Sequence, residues 1–315
     1  MKPEISIIIP ARNEEKFIEK TINSILNNNY PKNKYEILVI DSMSSDKTKE
    51  IVKKLQKKHK NIFLFENKKK TTPSAFNIGI KKARGKFIAI ISGHAELEKN
   101  YLKNCLKCIN KSNADCVSGL QYSTSNTKLG KAIADIMNSR FGGSEFHYSK
   151  KDKYVNTGYM GFYKKAVFHQ IGLFDEKFVR SQDAELNYRL ASRGGKIFLS
   201  SKIKSAYHNR ETLRGLFKQF YGYGFYKALV YKRYPQFLTL KQIAPLLLVL
   251  TLILRIIIPK LSFLLVAYLV FVIFSSLILS KTIPNFFYSL LILPAMHISY
   301  GLGSLIAILT GKIFK

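Results

Sequence analysis

The chain has 315 residues, with 51 Lys and Arg against 20 Asp and Glu and a formal net charge of +31. From position 241 onward there is no acidic residue and only six basic ones (Lys241, Arg255, Lys260, Lys281, Lys312 and Lys315), set among long apolar runs, which excludes one uniform soluble fold. The other 45 basic residues share residues 1–240 with all 20 acidic ones, an excess suited to phosphate-rich ligands or anionic lipid headgroups and, for a tethered domain, not to nucleic acid.

The alternative for that excess is a set of Lys-rich helices whose charge is simply solvated. Cys105, Cys108 and Cys116 give no disulfide framework, and the C-x-x-C pair lies inside a helical apolar pattern with no second pair to complete a zinc site. The N-terminus has only a short apolar run before Pro10, so no signal peptide is expected and the first domain is expected to stay in the cytoplasm.

Residues 5–9 are a β-branched run ended by Pro10-Ala11-Arg12-Asn13-Glu14, and Phe17, Ile18, Thr21, Ile22, Ile25 and Leu26 mark an amphipathic helix. A second strand at 35–40 ends at Asp41, and Asp46 is placed to cap a helix through Ile51, Val52 and Leu55. A short third strand follows at 62–65. Thr72-Pro73-Ser74 then starts a helix that Gly85 ends, and residues 87–91 form a fourth strand apolar enough for burial on both faces. Such strand–helix repeats predict an α/β fold with a right-handed, doubly wound, mostly parallel sheet.

Beyond it the pattern predicts a strand at 115–120 and a mobile insertion at 123–153, where periodicity fades and Gly130, Gly142 and Gly143 accumulate. Extended structure is expected at 155–163, then a short helix and turn at 166–176, a helix from Ser181 ended by Gly194-Gly195, a strand at 196–199, and another closing at Tyr207-His208. Residues 212–234 read as an amphipathic, aromatic and basic helix, equally suited to a headgroup layer or a protein core. Apolar stretches follow at 241–258, 261–279 and 286–309. A bilayer core takes about 20 helical residues, so the second and third span, and the first joins them if it begins near Leu240. The positive-inside count is nearly even, so orientation rests on the basic domain remaining cytoplasmic.

Ligand sites of such sheets lie beyond the carboxyl ends of the strands. That edge carries the Arg12-Asn13-Glu14 turn, Asp41 and His94, with Asp183 later in the chain. Asp41 is placed either to accept hydrogen bonds from a base or ribose or to make an Asx turn. Lys68, Lys69 and Lys70 are placed to meet a diphosphate or to form a solvated loop. Asp183 suits a general base or a first-turn helix acid.

Eight stretches occur in one order: Ile7-Ile8-Ile9-Pro10-Ala11-Arg12-Asn13-Glu14-Glu15; Val39-Ile40-Asp41-Ser42-Met43-Ser44-Ser45-Asp46-Lys47-Thr48; Asn77-Ile78-Gly79; Ser92-Gly93-His94-Ala95; Val155-Asn156-Thr157-Gly158; Gly172-Leu173-Phe174-Asp175-Glu176; Gln182-Asp183-Ala184-Glu185-Leu186-Asn187-Tyr188-Arg189; and 219–224. As a set they resemble the family 2 inverting glycosyltransferases of GT-A (nucleotide-diphospho-sugar transferase) fold, in particular the membrane-anchored, succinoglycan-biosynthesis-type members. The resemblance implies that Pro10, Arg12 and Glu14 form the turn cradling a nucleotide, that Asp41 bonds a uracil-type base, and that Asn77 lies in the helix flanking the donor. It implies that Ser92 and Gly93 lie at the metal and donor-ribose contacts, and that Asp183 is the base that activates the acceptor. Most of the family carries two aspartates where this chain has Ser92 and His94. The expectation is therefore that His94 and His208, with the donor diphosphate, hold a divalent cation (Mg²⁺ or Mn²⁺). Gln219 and Tyr223 stand where processive relatives carry a Gln-centred motif, but its Arg-Trp end is absent.

The expected protein is a cytoplasmic catalytic domain (1–235) followed by a multi-pass region in the cell membrane (236–315). It would move a sugar from a nucleotide-diphosphate sugar to a membrane-associated glycan or lipid-linked saccharide. The alternatives are a polyprenyl-phosphate sugar synthase and a non-catalytic nucleotide-sugar-binding assembly partner.

Overall fold

The computed structural model describes residues 2–142, 144–280 and 282–310, so Gly143, Lys281, Lys312 and Lys315 lie outside the described residues. The first elements alternate: β1 (Ile5–Ala11), α1 (Ile18–Leu26), β2 (Tyr35–Asp41), α2 (Thr48–Lys58), β3 (Ile62–Glu66), α3 (Thr72–Lys82) and β4 (Phe87–Ile90). Then come β5 (Ala95–Leu97), α4 (Tyr101–Ser112), β6 (Cys116–Thr124), α5 (Lys128–Met137), α6 (Glu145–Tyr148), β7 (Lys153–Val155), β8 (Phe162–Lys164), α7 (Val167–Ile171), α8 (Gln182–Ser192) and β9 (Ile197–His208). The chain ends in four helices, α9 (Leu213–Arg233), α10 (Leu240–Leu254), α11 (Ser262–Leu279) and α12 (Ile283–Thr310). Two compact units result, one running to Tyr122 and including Ser149–Tyr207, the other comprising Ser123–Tyr148 and the chain from His208 onward.

In the first unit the β-branched runs form strands because both of their faces are covered. Ile5, Ile7, Ile9, Val39 and Ala89 face a core shared with Ile18, Ile22, Val52 and Leu102 of α1, α2 and α4. Their neighbours Ile8, Leu38, Ile40, Ile88 and Ile90 point the other way, into a core with Phe76, Ile80, Leu186 and Leu190 of α3 and α8. Strands β1, β2, β3 and β4 pair in parallel.

The sheet is mixed rather than mostly parallel. Its order is β3-β2-β1-β4-β8-β6-β9-β5, with β7 on β9, and the β4–β8, β6–β8, β5–β9 and β7–β9 pairs are antiparallel. Parallel neighbours need a helical crossover, which α1, α2 and α3 supply only as far as β4. The expected strands at 196–199 and before His208 are one twelve-residue strand, β9. The expected extended run at 155–163 is broken between β7 and β8 by a turn with Met160 at φ 49°.

In the second unit, the expected mobile insertion at 123–153 contains α5 and α6. Thr127 caps α5 by accepting the Gly130 amide, and Ile133, Ile136 and Met137 bury against Leu216, Ile292, Leu293 and Met296. The helix expected at 212–234 is α9, which packs along α12. A Cβ at Gly224 would stand 1.9 Å from the Tyr300 carbonyl oxygen, and one at Gly303 2.1 Å from that of Tyr221, so the two backbones touch. Two stretches, Pro259–Leu279 and Ile283–Thr310, are long and apolar enough to cross a membrane. At 15 residues α10 is shorter than the roughly 20 that a span takes.

Candidate active site

The site is built from the loops at the carboxyl edge of β1, β2, β3 and β4. Five of the six described non-glycine residues with positive φ lie in loops of this unit that meet there or lead into α8: Asn13, Met43, Lys70, Met160 and Ser181. Such backbone is strained, and it persists where surrounding bonds over-determine it. Asn13 shows how: its amide donates to Ser44 Oγ at 3.0 Å, while its Oδ1 accepts the Ser45 amide at 2.9 Å. The Glu14 amide donates to Thr48 Oγ1 and the Glu15 amide to Asp46 Oδ2. Burial raises the Asp46 pKa, but hydrogen bonds from the Thr48 hydroxyl and amide and the Glu15 amide outweigh it and hold the carboxyl below its usual range. The loops after β1 and β2 are thereby stitched into one surface.

Asp41 ends β2 and is fully buried. Its Oδ2 accepts the Ser44 amide at 3.2 Å, and its Oδ1 has no hydrogen-bond partner. Beside it Asn67, also fully buried, donates its amide N–H to the Asp41 carbonyl at 2.7 Å and its Nδ2 to Ser42 Oγ and the Thr71 carbonyl. Asn67 Oδ1 accepts from Ser74 Oγ and the Lys69 amide, so this residue fixes the Lys68-Lys69-Lys70 loop. Arg12 Nη1 donates to the Lys70 carbonyl at 3.3 Å, bringing an exposed guanidinium to the same loop.

The turn after β4 packs on the turn after β1. A Cβ at Gly93 would lie 3.1 Å from the Pro10 carbonyl oxygen and 3.2 Å from Glu14 Cγ, and the Gly93 carbonyl accepts Thr21 Oγ1 at 2.9 Å. This close approach sets His94 Nδ1 3.0 Å from Glu14 Oε1 and its Nε2 3.2 Å from Ser92 Oγ. The rings of Phe17 and Tyr207 flank the imidazole, with centroids 6.4 and 5.2 Å away.

Asn77, in α3, gives Nδ2 to the Phe174 carbonyl and to Glu176 Oε1 and accepts the Phe174 amide at 2.9 Å. Its side chain thus holds the 172–176 turn. Glu176 in turn accepts from Lys69 Nζ at 2.7 Å, a bond that, with Asn77, keeps its carboxyl low despite burial. Arg189 of α8 reaches the same turn through the carbonyls of Ile171 and Leu173 and pairs with the fully buried Glu185 at 2.7 Å. Asp183, half-buried in the first turn of α8, is one turn before Asn187, which donates to the Gly158 carbonyl. Burial, with Cys116 and then Asp183 adding to it, holds the Tyr163 phenol far above its ordinary range.

Pro10, Glu14, Ser92, Gly93 and His94 therefore meet directly. Arg12, Asp41 and Asn77 join them through the Asn67–Lys70 loop, and Asp183 belongs to the helix that anchors the 171–176 turn. His208 is the last residue of β9 and opens the second unit. Among the described residues no group of three or more His, Cys, Asp or Glu could hold a metal ion, so a cation here would need donor oxygens or water as further ligands. Sequence reasoning missed Asn67. An Asn just past a strand reads as an ordinary turn residue, and nothing in the sequence signals the burial and the four side-chain hydrogen bonds it makes.

A family model described as glycosyl transferase family 2 matches residues 6–172. The chain is 37% identical over 239 residues to a dolichyl N-acetyl-alpha-D-glucosaminyl phosphate 3-beta-D-2,3-diacetamido-2,3-dideoxy-beta-D-glucuronosyltransferase of Methanococcus voltae, covering 73% of this chain and 74% of that one. It is 27% identical to the succinoglycan biosynthesis protein ExoA of Rhizobium meliloti, covering 76% and 74%. Among solved structures, the mannosyltransferase PcManGT from Pyrobaculum calidifontis, in complex with GDP-Man and Mn²⁺, superposes with a TM-score of 0.65 at 16% identity over 99% of this chain and 89% of that one.

Proposed function

The chain belongs to glycosyl transferase family 2 and is a glycosyltransferase, and from that premise we propose that it transfers a sugar, with inversion, from a nucleoside diphosphate donor to a lipid-linked saccharide or other membrane-associated glycan. The observation that carries the donor half is the buried, unpartnered Oδ1 of Asp41 beside a loop rich in lysine. A buried acceptor without a donor costs free energy unless a ligand N–H satisfies it, and a nucleobase supplies such a group. Asp41 accepts from the base, and Asn67 holds the adjoining loop so that Arg12 and Lys70 stand where the diphosphate charge falls.

Asp183 acts as general base. It takes the proton from an acceptor hydroxyl as that oxygen bonds to the anomeric carbon, while the bond from that carbon to the diphosphate oxygen breaks on the opposite face. One displacement inverts the anomeric configuration. His94 offers an imidazole nitrogen to a divalent cation, which when bound stabilises the negative charge of the departing diphosphate. The chemistry of the donor set fits: one nitrogen ligand, with its other ring nitrogen held by a carboxylate.

The acceptor half rests on the Methanococcus relative, whose name specifies a dolichyl-linked sugar phosphate, and on two helices long and apolar enough to cross a membrane. An amphiphilic acceptor presents its reacting end at the bilayer face, where a membrane-tethered enzyme meets it without extraction. The test is transfer from a panel of nucleotide sugars to a lipid-linked saccharide and, separately, to bare polyprenyl phosphate. Product from the saccharide alone supports the proposal, and product from bare lipid phosphate alone replaces it with a lipid-phosphate sugar synthase.

A further inference from the structure

We propose that Glu14 is the positioning residue of an imidazole-based cation site: it fixes His94 in the tautomer that leaves Nε2 able to coordinate, and the site consequently favours Mn²⁺ and Co²⁺ over Mg²⁺. The inference rests on the donor-site reading above. A carboxylate only accepts hydrogen bonds, so the 3.0 Å contact between Glu14 Oε1 and His94 Nδ1 requires the proton on Nδ1. In a neutral imidazole the lone pair is then on Nε2, where the Ser92 hydroxyl, at 3.2 Å, donates to it. A ligating histidine characteristically gives its other ring N–H to a carboxylate in this way, which fixes tautomer and ring orientation and raises ligand basicity.

The arrangement is built into the chain. Gly93 lets the turn after β4 approach the turn after β1 until a Cβ there would touch Pro10 and Glu14, and Thr21 clamps the Gly93 carbonyl. Thr48 fixes the Glu14 backbone at 2.8 Å, and Phe17 and Tyr207 close on the ring. His94 is thus held from both ends of the contact. The metal preference follows from ligand type. Oxygen ligands suit Mg²⁺, whereas imidazole favours later first-row ions, for which affinity rises from Mn²⁺ through Co²⁺.

The experiment uses the full chain in detergent, with UDP and in parallel GDP as probes. Pulsed electron paramagnetic resonance of Mn²⁺ bound with the nucleotide is expected to show a nitrogen coupling that His94→Ala abolishes. Calorimetry is expected to show nucleotide binding strengthened by Co²⁺ and Mn²⁺ more than by Mg²⁺. Glu14→Ala should weaken the metal about 10–100-fold. Glu14→Gln, whose amide oxygen still accepts from Nδ1, should recover most of that loss, and His94→Asp should move the preference toward Mg²⁺. Absence of the nitrogen coupling in wild type, or equal metal affinity in wild type and Glu14→Ala, would overturn the proposal. Nucleotide binding in EDTA that is lost in Asp41→Ala, with no metal response in wild type, would overturn the cation site and leave the donor site standing. No binding of either nucleotide under any condition would overturn both.

Discussion

Ser44 satisfies only half of Asp41: its amide donates to Oδ2 at 3.2 Å, while the buried Oδ1 keeps an open lone pair. An unsatisfied buried acceptor costs about 1–3 kcal/mol, more when charged, and a fold retains one where a ligand repays it.

Asp41→Ala is therefore expected to weaken nucleoside diphosphate binding about tenfold or more, since about 1.4 kcal/mol is a factor of ten. The melting temperature of the ligand-free protein should not fall in proportion. Calorimetric titration and thermal melts of the two proteins check both halves. A variant that binds as wild type removes Asp41 from the donor site.

Glu185 and Arg189 form a pair one helical turn apart, with the carboxylate fully buried and the guanidinium also holding the carbonyls of Ile171 and Leu173. Removing one partner of a buried pair leaves the other uncompensated, at a cost of about 3–5 kcal/mol. Glu185→Ala should lower the denaturation midpoint accordingly, and Glu185→Gln, which keeps an acceptor for Arg189, should lower it less. Equal midpoints for all three proteins would contradict this account of the α8 anchor.

Asp46 gives the first unit an acid sensitivity. Its folded pKa lies below the unfolded value, so the stability it contributes is present above the unfolded pKa of about 3.9 and is lost as pH falls through the folded one. Asp46→Asn should be less stable than wild type near neutral pH, and the two stability curves should converge below about pH 4. Curves that stay parallel down to strongly acidic pH would refute the assignment.

The α9–α12 crossing depends on having no side chain at Gly224 and Gly303. Gly224→Leu should separate the helices and reduce the yield of folded protein in membranes, whereas Phe217→Leu, at an exposed site on the same helix, should not. Comparing detergent-solubilised monodisperse yield decides between them.

Much of this was legible because the physics is local. The runs around Ile7, Leu38 and Ile88 are apolar on both faces, and that alone announces strands buried in a parallel sheet. Asp41 and His94 follow as strand-end residues on its carboxyl edge. The long apolar helices near the end of the chain were equally plain in composition. What stayed hidden depends on partners distant in sequence. β5 is three residues long and exists because Ala95 pairs with Tyr207. α5 looked irregular because its buried face answers Ile292 and Met296, more than 150 residues later. Ser200 and Ser201 interrupt the apolar alternation of β9, yet Asp152 bonds both hydroxyls and the strand runs through. The pairing of Glu14 with His94 likewise joins residues 80 apart that no spacing rule connects.

The central claim is that Asp183 removes the acceptor proton in an inverting transfer. It is tested most directly by incubating wild type and Asp183→Asn with a nucleotide sugar and a lipid-linked saccharide, following product and reading its anomeric configuration by nuclear magnetic resonance. The account predicts a product of configuration opposite to the donor, a rate lowered about 10²–10⁴-fold in Asp183→Asn, and donor affinity unchanged. Equal rates for the two proteins, or a product that retains the donor configuration, would contradict it.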